Sequence, residues 1–280
     1  MISVMTVNYK TADYLERMLE TLFAHHRHGG LEIFVVENGS GDDLTSLETR
    51  FPHVTFLYSP INRGFAGGCN MALRLATGNV CVLVNPDIRF VSDALYQVEQ
   101  AMNTHPLVGI GGIRLLQEDG SQQSCVWRFP HIKDQLLVLS KIPHLISCQA
   151  IDAWTMKDFD YTQDADVDQV MGAFFCMRRE VLQDIGLLDD GFFLWYEEVD
   201  FAKRAKDAGW PSHYFHHIQA IHKGGSSFDR VATFKKQSFM RRSLCRYMRK
   251  HYGKGVGALF TLLEPLWIIL ACLASLIKPR

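Results

Sequence analysis

No CxxC pair occurs in this sequence of 280 residues, although it contains seven cysteines. Their odd number and wide spacing argue against a disulfide framework and against a zinc site, so we expect reduced thiols in a cytosolic compartment. Neither sign of charge is in excess, because 29 Lys and Arg residues are balanced by 30 Asp and Glu residues. A protein that binds nucleic acid usually carries a basic surplus, and we therefore expect no nucleic-acid partner.

The first ten residues, MISVMTVNYK, contain neither a basic leader nor a long apolar stretch, so we expect no signal peptide. The sequence also lacks a GxGxxG motif after its first predicted strand, which argues against a dinucleotide-dependent oxidoreductase. That class of enzyme stays open as an alternative, because the first half of the chain has the βαβ pattern that such enzymes share.

Strand and helix patterns alternate through the first hundred residues. This alternation predicts a mostly parallel sheet with helices on both faces. The chain length suffices for one large domain, or for one domain with a small appendage. The predicted strands are 2–7, 31–36, 54–58, 80–84 and 108–110, and the predicted helices include 44–51, 67–76, 92–102, 179–185 and 197–208.

The alternation ends near residue 115. Residues 117–165 combine turn signals, aromatic residues and charges without a clear period, and we interpret them as an irregular insert that forms a loop over a site. The composition changes again near residue 228. We therefore divide the chain into a main domain, 1–228, and a C-terminal helical region, 229–280.

The C-terminal region joins a basic segment to an apolar one. Residues 230–254 are strongly basic, and residues 255–277 are almost entirely apolar. This combination is typical of proteins that bind an anionic membrane surface, although a solvated basic helix is the simpler alternative. The apolar segment is long enough to cross a bilayer, but Glu264 and Pro265 disfavour a span. We expect a helix or helical hairpin in the membrane interface first, a span second, and packing on the protein's own core third.

Polar residues follow three of the predicted strands. They are Asn8 and Tyr9, then Glu37 and Asn38, and then Asn85 with Pro86 and Asp87. In an open parallel sheet, ligands bind beyond the carboxyl ends of the strands, so these residues predict a nucleotide site at one edge. Because Asn, Asp and Pro are also common in turns, each of them alone is weak evidence.

Two segments near this edge have chemistry of their own. In LVNPDIRF, a buried strand ends at Asp87, and a carboxylate there suits Mg²⁺ or Mn²⁺ shared with substrate phosphates. In NRGFAGGCN, small residues begin a helix whose backbone amides favour phosphate. The second segment lacks the lysine of a phosphate-binding loop, and alone it is weak evidence.

The segment GFFLWYEEVDFAKRAKDAGW places Glu197, Glu198 and Asp200 after a group of aromatic residues. Negative charge is favoured at a helix N-terminus, so capping alone would explain the three acids. The preceding aromatic residues form the type of platform that packs on sugar faces: Phe192, Phe193, Trp195 and Tyr196.

A histidine near the end of the main domain is the last candidate. His222 follows a short predicted strand and precedes a glycine pair that leaves room for other groups. Alternate residues of a strand point to opposite faces, so we interpret the nearby His213, His216 and His217 as surface or core residues.

Taken in chain order, these segments resemble glycosyltransferase family 2, whose members have the GT-A fold. The order is TVNYK, VVENGSGD, NRGFAGGCN, LVNPD, MGAFFCMRR, FFLWYEEVDFAKRAKDAGW and AIHKGGSS, across residues 2–227. Within the family, the chain is most similar to rhamnosyltransferase-type members that build bacterial cell-surface polysaccharides. The resemblance implies an α/β, Rossmann-like domain with a mostly parallel sheet flanked by helices.

The resemblance also implies roles for individual residues. It implies donor-nucleotide contacts from Thr6, Val7, Asn8, Tyr9, Glu37, Asn38, Arg63, Gly68, Asn85, Pro86 and Asp87. It implies acceptor contacts from Gly172, Ala173, Trp195 and Glu197. Asp87 and His222 would bind Mg²⁺ or Mn²⁺, and Glu198 would be the catalytic base.

Three positions depart from the family pattern. Glu37 and Glu198 stand where Asp is more common, and Asn85 replaces the first acid of the DXD motif. These departures leave open a non-catalytic protein that binds sugar nucleotides, and they make the choice of Glu198 over Glu197 as base less certain. A membrane scaffold is a further alternative.

The activity implied by the resemblance is an inverting sugar transfer. The sugar, a deoxyhexose such as rhamnose, would come from a dTDP- or UDP-linked donor. The acceptor would be a hydroxyl of a lipid-linked or oligosaccharide substrate at the cytoplasmic membrane surface. The expected location is the cytoplasm, at the inner face of the plasma membrane, peripheral or integral through 255–277.

Overall fold

The computed structural model describes residues 1–28, 30–141, 148–224 and 233–277. Its strands are β1 (Ile2–Asn8), β2 (Leu31–Asn38), β3 (Val54–Ser59), β4 (Val80–Val84), β5 (Ile88–Phe90), β6 (Ile110–Leu116), β7 (Val126–Trp127), β8 (Ala165–Val167), β9 (Gln169–Val170), β10 (Phe174–Arg178) and β11 (Ser212–His222). Its helices are α1 (Ala12–His25), α2 (Thr45–Arg50), α3 (Gly64–Leu73), α4 (Ala94–Thr104), α5 (Ile132–Ser140), α6 (Gln149–Trp154), α7 (Arg179–Ile185), α8 (Glu197–Asp207), α9 (Thr233–Tyr252) and α10 (Lys254–Ile277).

A mixed sheet forms the centre of the fold. Within the described residues, nine strands join in the order β3-β2-β1-β4-β10-β6-β11-β5, and β8 also pairs with β11. Strands β1, β2, β3, β4, β6 and β11 run in one direction, whereas β5, β8 and β10 run in the other. The prediction of a mostly parallel sheet flanked by helices is therefore confirmed.

The inner strands are buried on both faces. Every residue of β1 and of β4 is buried, and a strand in that position has a continuous apolar sequence instead of an alternating one. α1 contributes Leu15, Met18, Leu19 and Leu22, whose spacing of three and four residues places them on one helix face. This packing fixes the sheet edge at which the site forms.

The helix α3 begins at Gly64, three residues before the predicted start. Two side-chain oxygens accept hydrogen bonds from the first backbone N–H groups at this end. Asn38 Oδ1 accepts from the N–H of Arg63 at 3.0 Å, and Asn62 Oδ1 accepts from the N–H of Gly64 at 2.8 Å. Because Asn38 belongs to the neighbouring strand, a local sequence pattern could not show this capping.

The prediction that 117–165 is irregular is wrong in part. The segment contains β7, α5 and α6, and β7 pairs with β9 in a second, two-stranded sheet. β6 also extends to Leu116, well beyond the predicted strand. Gly111 and Gly112 are the second and third residues of β6, and a Cβ at Gly112 would lie 2.5 Å from Val170. Glycines chosen for close packing conceal a strand from pattern analysis.

The C-terminal region is helical, as predicted. α10 packs on α9 and on α5, with Phe260 and Trp267 buried. Glu264 lies 3.6 Å from Arg241 of α9, which gives the mid-helix carboxylate a cationic neighbour. Across the described part of the chain, no helix has both the length and the apolar character that crossing a membrane requires. The boundary at residue 228 lies outside the described residues.

Gly64 offers a test of the packing at this edge. It has a φ of +73°, and a Cβ there would lie 2.2 Å from the carbonyl oxygen of Phe193. We expect Gly64→Ala to lower the free energy of unfolding by more than the ~1–2 kcal/mol that left-handed backbone costs an L-residue. Urea denaturation measures the loss.

Gly209 supplies the control. It follows the last turn of α8 with a φ of +91°, and a Cβ there would meet no described atom within 4 Å. Gly209→Ala should therefore show the conformational cost of a positive φ alone. If both variants lose the same free energy of unfolding, the contact with Phe193 does not contribute to stability.

Candidate active site

A cavity of about 530 Å³ lies at the carboxyl edge of the parallel strands. Its size suits a small-molecule ligand. Residues that are widely separated along the main domain line it, and one comes from α9. They are Val7, Tyr9, Asn38, Asn62, Gly64, Phe65, Asn85, Pro86, Asp87, Gln123, Trp127, Met171, Gly172, Ala173, Phe193, Leu194, Trp195, Glu197, Glu198, His222, Gly224 and Phe239.

Strand pairing brings Asp87 and His222 together. β5 begins one residue after Asp87 and runs antiparallel to β11, with Ile88 opposite His222. The backbone N–H of Lys223 donates to the carbonyl oxygen of Asp87 at 3.2 Å, which continues the pairing by one step. Asp87 Oδ1 then lies 3.4 Å from His222 Nε2, and both side chains are only 8% exposed.

Gln123 orients the imidazole of His222. His222 Nδ1 lies 2.9 Å from Gln123 Oε1. When Nδ1–H donates to this oxygen, Nε2 presents its lone pair on the side where Asp87 lies. The bond therefore selects the tautomer whose Nε2 can act as a ligand.

This arrangement fits a divalent cation. Two ligand atoms on one octahedral Mg²⁺ ion lie about 3 Å apart, and Asp87 Oδ1 and His222 Nε2 are 3.4 Å apart. A carboxylate oxygen and an imidazole nitrogen are both ligands that Mn²⁺ accepts. The other ring nitrogen, Nδ1, is hydrogen-bonded to Gln123, and such a bond is usual for a metal-binding histidine.

Two acidic residues border the cavity at the start of α8. Glu197 is 4% exposed, and Glu198 is partly accessible from the cavity. Among the described residues, neither Oε2 atom has a hydrogen-bond partner. Burial raises the pKa of both carboxyl groups, and the neighbouring charge of Glu198 raises the pKa of Glu197 further. A carboxylate that prefers to hold a proton is suited to act as a base.

The turn before α8 has an unusual backbone. Trp195 and Tyr196 have φ angles of 63° and 71°, which place two successive residues with side chains in the left-handed region. Backbone strain of this kind persists only where the surroundings hold it, and it is concentrated at functional sites.

Most of the predicted site residues lie around the cavity. On the predicted donor side these are Val7, Tyr9, Asn38, Asn85, Pro86 and Asp87. On the predicted acceptor side these are Gly172, Ala173, Trp195 and Glu197, together with the predicted base Glu198 and the second predicted metal ligand His222. The backbone N–H of Asn85 donates to the carbonyl oxygen of Ala173 at 2.9 Å, so the two predicted sides meet there. A Cβ at Gly172 would lie 3.4 Å from the Glu198 side chain, which places Gly172 beside the predicted base.

Five predicted donor residues do not line the cavity. Thr6 is buried in β1, and Asn8 donates to Asp42 at 2.9 Å and accepts from Thr11. The Glu37 carboxylate accepts the backbone N–H groups of Gly39 and Ser40 and so shapes its own turn. Arg63 donates from Nε to Ser59, and Gly68 packs beneath Val7 and Asn38. Their predicted contacts with the donor stay predictions.

Sequence reasoning did not identify several lining residues. Gln123 and Trp127 belong to the segment predicted as irregular, and Asn62, Gly64 and Phe65 surround the start of α3. Phe239 comes from α9, which was assigned to the membrane region. The interpretation of 117–165 as a loop over a site already indicated that residues such as Gln123 and Trp127 could line the cavity. Of the predicted aromatic platform, Phe193 and Trp195 border the cavity, whereas Phe192 is fully buried.

A second group of metal-type ligands lies elsewhere. Asp164, His216 and His217 bring their ligand atoms within 4.8 Å of one another, at an irregularity of β11 between Phe215 and Gln219. Asp164 accepts both the backbone N–H and the ring nitrogen of His216 at 2.7 Å. None of these residues lines the cavity. Asp164 and His217 are exposed and His216 is partly exposed, so this group lies at the surface.

The sequence was compared with family models and with known proteins. The family model described as Glycosyl transferase family 2 matches residues 3–186. Among curated relatives, the N-acetylglucosaminyl-diphospho-decaprenol L-rhamnosyltransferase of Mycobacterium tuberculosis is 22% identical, over 82% of this chain and 78% of its own. Rhamnosyltransferase WbbL of Escherichia coli is 23% identical, over 81% and 86%.

A hexosyltransferase of low-salt glycan biosynthesis, Agl10 of Haloferax volcanii, is 24% identical over 73% of this chain, which spans 61% of that relative. Solved structures show the same fold. Mannosyltransferase PcManGT from Pyrobaculum calidifontis, in complex with GDP-Man and Mn²⁺, aligns with a TM-score of 0.60 at 16% identity, over 100% of this chain and 76% of that one. GalNAc-T7 with UDP, GalNAc and Mn²⁺ aligns with a TM-score of 0.58 at 12% identity, over 79% and 43%. The chain therefore belongs to glycosyl transferase family 2 and has the GT-A fold.

Proposed function

We propose that this protein transfers a deoxyhexose such as rhamnose from a dTDP- or UDP-linked donor to an acceptor hydroxyl, with inversion at the anomeric carbon. One observation carries the proposal: Asp87 and His222, whose facing ligand atoms would hold a cation, border the same cavity as the adjacent carboxyl groups of Glu197 and Glu198. Two relatives named as rhamnosyltransferases support the choice of sugar.

The donor side of the cavity suits a nucleoside diphosphate. Val7 and Tyr9 end β1, Asn38 ends β2, and Asn85 and Asp87 follow β4, so they form one edge. Asp87 and His222 would hold Mg²⁺ or Mn²⁺, which neutralises charge on a diphosphate leaving group when it is bound. Two solved structures of the same fold contain Mn²⁺, which supports this ion.

The acceptor side supplies the base. Glu198 is partly accessible from the cavity, whereas Glu197 is buried, so Glu198 has the better access to an acceptor hydroxyl. In the proposed reaction, Glu198 takes the proton of that hydroxyl while the oxygen attacks the anomeric carbon. Trp195 and Trp127 border the cavity with Phe193 and Met171, and flat apolar side chains of this kind pack on sugar rings and exclude water.

The Glu197 carboxyl contributes through its protonation state. Its pKa is raised well above 4.5 by burial first and by the charge of Glu198 second. A neutral Glu197 leaves Glu198 as the ionised member of the pair. Two adjacent carboxylates with different exposure thus divide the roles of base and neutral neighbour.

The C-terminal helices suit an anionic membrane surface. Leu259, Leu262, Leu266 and Ile269 are exposed along α10 at spacings of three and four residues, which places them on one face. Exposed cations lie on α9 and at the start of α10: Arg242, Arg246, Arg249, Lys250 and Lys254. An apolar stripe beside basic residues is the arrangement of an interfacial helix. A lipid-linked acceptor at the cytoplasmic face would then lie within reach, and the name of the mycobacterial relative supports such an acceptor.

Substitution of Glu198 tests the base. We expect Glu198→Gln to lower kcat by about 10²–10⁴-fold, the usual contribution of a general base, while thermal-shift assays with the nucleotide show unchanged donor binding. Because burial raises the pKa of Glu198 above its usual 4.5, the wild-type rate should fall with decreasing pH at a pH above 4.5.

Glu197→Gln is the comparison variant. It reproduces the neutral carboxyl group and should retain more activity than Glu198→Gln. A larger loss of transfer in Glu197→Gln would assign the base to Glu197, and full activity in Glu198→Gln would remove Glu198 from the reaction.

Substitution of Asp87 tests the cation-binding pair. In the wild-type protein, UDP or dTDP at about a hundredfold excess over Kd, with Mn²⁺, should stabilise the fold by about 2.7 kcal/mol. Asp87→Ala should abolish the Mn²⁺-dependent part of this shift, because one of two cation ligands is lost. Asp207→Ala, which removes an exposed carboxylate at the end of α8, is the control. An Mn²⁺-dependent shift of wild-type size in Asp87→Ala would refute the assignment.

The apolar stripe of α10 is tested by vesicle binding. Leu262 and Leu107 are each 78% exposed, and Leu107 belongs to the main domain. Leu262→Glu should weaken binding to phosphatidylcholine vesicles that contain phosphatidylglycerol by roughly tenfold or more, the value of one buried leucine side chain. Leu107→Glu should leave binding unchanged. Co-sedimentation measures both, and equal binding by all three proteins would contradict the interfacial position of α10.

A further inference from the structure

The four residues that precede α8 are Leu194 and three aromatic residues, and they lead directly into Glu197 and Glu198. We refer to residues 193–196 as the acidic-helix strap. Trp195 and Tyr196 have left-handed φ angles of 63° and 71°, and Glu197 and Glu198 follow directly. Any relaxation of these two residues would move both carboxylates, because the strap sets where the first turn of α8 begins.

One helix holds the strap and the turn that follows it. The Phe193 ring lies 4.7 Å from that of Phe239 of α9. Ser243 Oγ donates to the carbonyl oxygen of Leu194 at 2.8 Å. Further along, the ring of Tyr196 packs against that of Tyr247 at 5.5 Å.

The contacts continue into the first turn of α8. Asp200 is fully buried. Its carboxylate accepts hydrogen bonds from two side chains of α9, His251 Nε2 at 2.8 Å and Lys250 Nζ at 2.9 Å. Arg204 of α8 itself supplies a third donor, at 2.9 Å. Asp200 therefore ties the helix that begins with the two catalytic candidates to the far end of α9.

The contacts on α9 are regularly spaced. Phe239, Ser243, Tyr247 and His251 are separated by four residues each, which places them along one helix face. That face follows the strap and α8 over more than three turns. Ser243 and Tyr247 are buried at 4% and 0% exposure, so the contact excludes solvent. The regular spacing shows that the contact belongs to the whole helix face.

We infer that α9 is a positioning element of the active site, and that Ser243 is a positioning residue for Glu198. The inference rests on the proposed role of Glu198 as base. Helix α9 lies beyond residues 3–186, the part of the chain that the family model matches. The hydroxyl of Ser243 acts on a backbone carbonyl directly before the strained residues, where it opposes their relaxation.

The kinetic test compares Ser243→Ala with Ser243→Thr, which keeps the hydroxyl. Activity is expressed per donor-binding site, with sites counted by calorimetric titration of the nucleotide with Mn²⁺, so that unfolded protein does not enter the rate. Ser243→Ala should lower kcat about tenfold or more and leave the KM for the donor unchanged, because displacement of a catalytic group by about 1 Å can cost 10²-fold. Ser243→Thr should restore most of the rate.

Thr49→Ala is the control, because Thr49 Oγ1 donates within its own helix α2, to the carbonyl oxygen of Thr45 at 3.0 Å. It should retain the wild-type kcat. A wild-type kcat in Ser243→Ala, or equal losses per site in Ser243→Ala and Ser243→Thr, would overturn the role of the hydroxyl.

Hydrogen exchange tests the positioning without any transfer reaction. In Ser243→Ala, the amides of residues 193–200 should exchange faster, whereas those of 85–90 and 220–224 should keep their wild-type rates. Faster exchange in 193–200 without measurable transfer in the wild-type protein would leave the α9 contact standing and would refute the proposed reaction. Unchanged exchange throughout would refute the positioning role itself.

Discussion

The pairing of β11 with β6 on one side and β5 on the other is the interaction on which the site depends. β6 runs parallel to β11 and sets its direction, so that His222 reaches the same edge as the ends of β1, β2 and β4. β5 runs antiparallel and starts directly after Asp87. Because side chains alternate between the two faces of a sheet, a shift of one residue in this register would turn His222 away from Asp87.

Three acids in the first turn of α8 show how position controls charge. Glu197 and Glu198 border the cavity without hydrogen-bond donors at Oε2 among the described residues, and burial raises their pKa. Asp200 is also buried, and desolvation opposes its ionisation. Hydrogen bonds and charges from His251, Lys250 and Arg204 outweigh this effect and lower its pKa. The same helix start therefore carries one acid with a lowered pKa, which is bonded to α9, and two acids with raised pKa values, which border the cavity.

The C-terminal helices contact the active-site cavity and also present an exposed apolar stripe. α9 contributes Phe239 to the cavity lining and donors to Asp200, while α10 packs on α9 and exposes a leucine-rich stripe on its outer side. Glu264, which with Pro265 disfavours a span through 255–277, lies beside Arg241 of α9. On its inner side, Phe260 and Trp267 of α10 belong to the same buried apolar cluster as Tyr247 and Met248 of α9.

The sequence by itself determined the parallel strands at the centre of the sheet, most of the helices and the family. Strands buried on both faces leave continuous apolar runs, and the family motifs keep their order along the chain, so both signals are local. It also identified Asp87, His222 and Glu198 as candidates, which the fold places around one cavity. The tertiary structure alone decided the parts that depend on distant contacts. These include the capping of α3 by Asn38, the hold of Gln123 on His222, and the use of α9 to brace the strap. Each joins residues that are far apart in sequence, and no local pattern records which surfaces will meet once the chain has packed.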